Sequence, residues 1–274
     1  MAAPFLLIIL PMKLLAINKF LELLLMINKN FFLKLPVNFN NKCKIYPPSI
    51  NDIIGNENFP IYQKILTFSQ EELEDEFLNK TDSQGNPLKV PTPIEYLFCN
   101  SYNDKEFENI AKQAFEFFIK EEVTFLYETK SILIGNIEQV VKQIDSLDEL
   151  IIINEEEFFD FQNLIRESIA EKPVERPNPN EDPRVKRIKA KARYRDKIKA
   201  KKGMGISLET TLVSICCMGI GITPLNIGEM SYVAACAIME RYQEKENYHI
   251  DIDTLLAGGD SKKIKPKYWI RNLD

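Results

Sequence analysis

Residues 171–202 have little to bury, and that divides the chain. Glu171 to Pro183, EKPVERPNPNEDP, carries four prolines and almost no apolar side chain, so it reads as a semi-extended linker. Directly after it, RVKRIKAKARYRDKIKAKK holds eleven Lys/Arg against one Asp, a local charge of +10. Like charges at i,i+4 repel along a helix, so this run is expected to become ordered only against a partner. Residues 1–183 hold 17 basic and 30 acidic side chains, or −13, and residues 203–274 hold 7 and 9, or −2. The protein is therefore acidic with one basic segment, which excludes a generally cationic nucleic-acid binder. Four segments result: an apolar stretch 1–30, an acidic α+β domain 31–170, the Pro-rich then basic linker 171–202, and a small helical domain 203–274. At 45% hydrophobic, the 274 residues can bury a real core.

The opening MAAPFLLIILPMKLLAINKFLELLLMINKN is apolar but interrupted by Pro11, Lys13, Asn18, Lys19 and Glu22. Its first run is shorter than the roughly 20 residues a membrane-spanning helix needs. An interfacial helix is one reading. A true start at Met26, with 1–25 non-native, is the other. Five cysteines, odd in number and without a CxxC pair, point to a reducing compartment.

The rest is read from caps and periodicity. Ser49 caps a helix broken near Gly55 or Pro60, and Ser69 with Glu72 forms a capping box. Thr92-Pro93 and Asp104 open two further helices, the second with Phe107, Ile110, Ala111, Ala114 and Phe118 at helical spacing. FFLKLPVNF reads as an extended piece. Val123–Tyr127 and Ser131–Ile134 predict a hairpin. Ile137–Ile144 is expected to be helical, Leu150–Ile153 a third short strand or a helix end, and Asn154 with Glu157 opens another helix. In the last segment Ser207 is expected to cap LETTLVSICCM, stopped by Gly219-Ile220-Gly221. Thr223-Pro224 then opens a long helix ending in the polar run Gln243–Asn247, and Asp251 or Asp253 begins a short separate turn. The fold class is thus mainly α: an α+β first domain with a small hairpin, and a small all-α C-terminal domain. A two-helix core of that size is expected to lean on a partner or on its own copies.

No catalytic constellation emerges. His249 with Asp251 and Asp253 would share one face of a strand, which invites a metal reading, but capping acids beside a surface His explain the pattern better. Cys216, Cys217 and Cys236 read as small hydrophobes rather than nucleophiles. No Walker sequence or GxGxxG is present. No enzyme activity, metal or cofactor is expected. The basic segment comprises Arg184, Lys186, Arg187, Lys189, Lys191, Arg193, Arg195, Lys197, Lys199, Lys201 and Lys202, with only Tyr194 for stacking. Nucleic-acid binding there would be non-specific and salt-sensitive, and docking on an acidic protein surface is the competing reading. Tyr268 and Trp269 among basic residues have the composition of a contact hot spot or of a lid on the domain's own core.

NIGEMSYVAACAIMERYQEKENYHIDIDTLLAGGDSKKIKPKYWIRNL resembles the C-terminal part of tail assembly proteins of long-tailed phages of Gram-positive hosts. KIYPPSINDIIGNENFPIYQKIL, from Lys44 to Leu66, looks like the opening of the same proteins. The resemblance implies a tail assembly chaperone of the host cytoplasm. In that family a shorter product ends after the first domain, and a longer one, often made by ribosomal frameshifting, adds the second. The partners it implies are the tape measure protein, held by the second domain, and tail tube subunits, recruited by the first. An apolar groove between 207–218 and 227–242 would take an amphipathic helix, and methionines would let it adapt. Its expected contact residues are Met218, Leu225, Met230, Val233, Ala237, Met239 and Tyr242, with Tyr268 and Trp269 in the tail. Two alternatives remain: a virion or packaging component touching DNA through 184–202, and a membrane-associated protein anchored by 1–27.

Overall fold

Five side-chain caps fix where helices of the first domain begin. The computed structural model describes residues 29–77, 80–81, 83–85, 88–135, 151–176, 182, 184–185, 188–189, 192–193 and 208–268. The apolar opening, the expected helix 137–144, the Ser207 cap and Trp269 lie outside them. A short helix α1 (Lys29–Phe32) leads into strands β1 (Val37–Phe39) and β2 (Cys43–Ile45), paired antiparallel with Phe39 opposite Cys43. The helix at Phe31–Phe32 and the turn after it correct the reading of 31–39 as a single extended piece, of which Val37–Phe39 is strand. Asn40 and Asn41 both adopt left-handed backbone, φ 47° and 57°, and the Lys42 N–H closes the turn on the Phe39 carbonyl.

Ser49 starts α2 (Ile50–Ile54) with a reciprocal box to Asp52, and Gly55 ends it. The chain restarts at α3 (Phe59–Thr67), with Pro60 in its first turn where no donor is needed. Ser69 and Glu72 exchange backbone bonds at α4 (Gln70–Phe77). Thr92 with Glu95 opens α5 (Pro93–Asn103), and Asp104 accepts from two amides of α6 (Lys105–Ile119). Strands β3 (Val123–Leu126), β4 (Ser131–Ile134) and β5 (Ile152–Ile153) form an antiparallel sheet in that order, so the strand alternative holds at Ile152–Ile153. Asn154 and Glu157 box the start of α7 (Glu155–Ser168).

These elements close on one apolar core. Phe115 and Phe118 of α6, Phe158 and Phe161 of α7, Leu66 of α3 and Ile45 of β2 are fully buried in it. The Phe115 and Phe161 rings stack with centroids 5.4 Å apart, and Phe39 meets Phe161 edge-on at 5.5 Å. Glu108 is buried at the edge of this body between Lys105 and Lys112, at 2.7 and 2.8 Å.

Beyond the linker come α8 (Leu208–Cys217), a 3₁₀ turn over Ile227–Glu229, and α9 (Tyr232–Leu256). Two expectations are corrected here. Thr223-Pro224 does not open the long helix: the Thr223 N–H donates to the Asn226 side chain within a turn, and Ser231 caps α9 instead. Nor does α9 stop at the polar run, because Gln243, Glu244, Lys245 and Glu246 are good helix formers and no Gly or Pro intervenes before Gly258. The protein is mainly helical, with one two-stranded and one three-stranded sheet among the described residues.

Candidate partner-binding site

The C-terminal helices build a second, much smaller cluster. Its buried members are Ile215 of α8, Ile227, Ala235 of α9 and Ile50 of α2. Met218, Met230 and Met239 pack around it half-buried, so the three methionines expected to line a groove do converge. Ala237 and Tyr242 are half-buried along α9. Val233 goes elsewhere: it is 3% exposed and sits in the core of the body. Leu225 is the opposite case, 97% exposed in the loop before the 3₁₀ turn. Val213, Ile220, Ile250 and Leu256 are also exposed apolar side chains of this unit. Tyr268 is exposed, and its ring meets Tyr248 edge-on at 5.6 Å, which brings the tail back beside α9.

Burial disables the chemistry of the enclosed thiols. Desolvation, reinforced by the Glu121 charge, pushes the Cys43 thiol up to about 12. Desolvation also raises the Cys236 thiol, and burial together with the Cys236 charge pushes the neighbouring Tyr232 hydroxyl to about 12. Neither thiol is a thiolate at neutral pH, so neither is poised as a nucleophile. His249, Asp251 and Asp253 lie within α9, not on a strand. Helical geometry places His249 and Asp253 on one face and turns Asp251 away, which removes the shared face that the metal reading required. Among the described residues, no group of three or more His, Cys, Asp or Glu is placed to hold a metal ion. Among them also, no helix is long and apolar enough to cross a membrane.

The basic segment is described at Arg184, Lys189 and Arg193; its other basic residues lie outside the described set. All three positions are helical. The Arg184 N–H donates to the Asp182 side chain. Arg193 pairs with Glu71 at 2.8 Å and Asp75 at 3.4 Å, both on the acidic helix α4. Nearer the body, Arg176 pairs with Asp160 at 2.8 Å, and Val174 exchanges two hydrogen bonds with Asn163. The start of the linker thus runs back along α7.

One contributor escaped sequence reasoning. Ile50 belongs to the N-terminal body by sequence yet fills the C-terminal cluster. The Ser49 cap placed it at a helix start, but nothing local indicates which core it enters. No curated protein and no solved structure matches the chain. Residues 197–274 match the family model described as the YomV second domain, so the C-terminal unit contains a phage-type domain.

Proposed function

We propose that the chain is a non-enzymatic tail assembly chaperone that works in the host cytoplasm. In this reading the C-terminal unit holds the tape measure protein, and the acidic body recruits tail tube subunits. The observation that carries it is the phage-type match over 197–274, on the unit that presents Val213, Ile220, Leu225, Ile250 and Leu256 to solvent. A tape measure is a long helical chain with apolar stripes, and it needs cover before it is packed. Solvent-exposed aliphatic side chains beside half-buried methionines suit such a ligand, because methionine repacks against changing sequence. The resemblance of Lys44–Leu66 to the opening of the same phage proteins supports one continuous assignment.

The pairing of Arg193 with α4 favours the protein-docking reading of the basic segment over a DNA contact. The test is co-expression of the full chain with the tape measure protein of the same phage. The expected result is a soluble complex that elutes as one species. A tape measure that stays insoluble whether or not the chain is present overturns the reading.

A further inference from the structure

The C-terminal unit meets the body along a seam with the geometry of strand pairing. The Ile50 N–H donates to the Met230 carbonyl and the Tyr232 N–H to the Pro48 carbonyl, both at 3.0 Å. These two bonds flank Ser49 and Ser231, which face each other as an antiparallel pair of the close, non-hydrogen-bonded type. Both serines are buried, and both are helix caps, Ser49 for α2 and Ser231 for α9. The Ser231 hydroxyl also donates to the Phe32 carbonyl at 3.0 Å. At the rim, Lys34 and Asn51 converge on Glu229, at 3.4 and 3.1 Å.

Across this seam the two units exchange one buried apolar side chain each, and half-buried Leu208 and Tyr232 also pack on the body. Ile50 leaves the body and fills the C-terminal cluster, and Val233 leaves α9 and fills the body. The turn that carries Glu229 lies tight on α2: a Cβ on Gly228 would fall 2.1 Å from the Asn51 side-chain oxygen. The C-terminal cluster has four buried members, and one of them is the body's Ile50.

We infer that the body is a built receptor for the chain's own C-terminal unit and holds it without needing the covalent link. The closed seam also withholds Val233 and the Met230 backbone from outside partners, which leaves Val213, Ile220, Leu225, Ile250 and Leu256 as exposed apolar side chains of the unit. This inference does not depend on what the partner is. A tether raises the effective concentration of the two units, so cutting it, in a chain carrying Arg193→Ala to remove the ion pairs to Glu71 and Asp75, tests the seam.

The experiment uses the full chain with Arg193→Ala and a specific protease site in place of residues 177–181, cleaved after purification and run on size exclusion at micromolar concentration. The uncut protein and the cut protein are expected to elute together as one species. Ile50→Asp places a charge in the C-terminal cluster while leaving the body's own core untouched, so its cut form is expected to separate. Val233→Asp attacks the seam from the other side and is expected to do the same. Circular dichroism of the cut Ile50→Asp chain reads whether the body stays folded. Separation of the cut Arg193→Ala chain overturns the inference, and so does a cut Ile50→Asp chain that elutes as one species.

Discussion

Ile50→Ala separates the two cores, because the residue sits in one unit and serves the other. Ile50 is 1% exposed, and its buried neighbours are Ile215, Ile227 and Ala235. Truncating a buried Ile to Ala costs about 2–5 kcal/mol, depending on how far the site collapses. Here the surrounding Leu212, Met218, Ile222 and Met230 are only half-buried, so the cavity can close or admit water. The lower part of the range applies, about 2–3 kcal/mol, which is about a 30- to 150-fold rise in the opening equilibrium. Native-state hydrogen exchange reads this by position. The amides of Ile215 and Ala235 should exchange faster by that factor, while those of Ala111 and Phe115 in the body keep their protection. Equal acceleration in both regions, or acceleration confined to the body, refutes the assignment of Ile50 to the C-terminal cluster.

Three further outcomes follow from local physics. Burial alone would raise the Glu108 carboxyl, but hydrogen bonds from Lys105 and Lys112 outweigh it and hold the group at about 2, against 4.5 unfolded. A folded value below the unfolded one means stability present above about pH 4.5 and lost as pH falls toward 2. The unscreened shift corresponds to about 3 kcal/mol, and screening through solvent-exposed Lys105 lowers that to about 1–2 kcal/mol; Glu108→Gln should flatten the acid limb of a urea-midpoint profile. Ala170, after α7, has φ 59°, and the Glu171 N–H reaches back to the Arg166 carbonyl, so Ala170→Gly should stabilise by about 1 kcal/mol in thermal melts. Cys43 should resist alkylation at pH 8 while the exposed Cys99 and Cys217 react, as mass spectrometry would show.

Local chemistry made much of the fold legible in the sequence. Ser49, Ser69, Thr92, Asp104 and Asn154 each announce a helix because a cap needs only the next three residues. The β3–β4 hairpin was legible from β-branched and aromatic alternation. The β1–β2 hairpin was not, although Asn40-Asn41 carried the turn signal, because its strands are three residues long and neither stands out by pattern. The start of α9 was misplaced because Thr223 and Ser231 offer equal local caps. What separates them is the pairing of Ser231 with Ser49, distant in sequence and invisible to any window. For the same reason the candidate site was half legible. Met218, Met230 and Met239 do pack around one cluster, although Met218 follows α8 and Met230 precedes α9, and no local spacing could say that Val233 would enter the other core. The partner of Arg193 was equally out of reach: its charge was plain, and its docking on Glu71 and Asp75 is tertiary.

The chaperone reading places the partner on the solvent-facing side of the C-terminal unit. The most direct measurement is a hydrogen-exchange footprint of the full chain with and without the tape measure protein, paired with a Val213→Asp/Leu225→Asp variant. Both side chains are exposed, at 63% and 97%, so the variant should melt like wild type. The account predicts new protection over residues 208–256, no change across β3–β4, and loss of the complex in the variant. Protection confined to 29–176, or a complex indifferent to both substitutions, contradicts it.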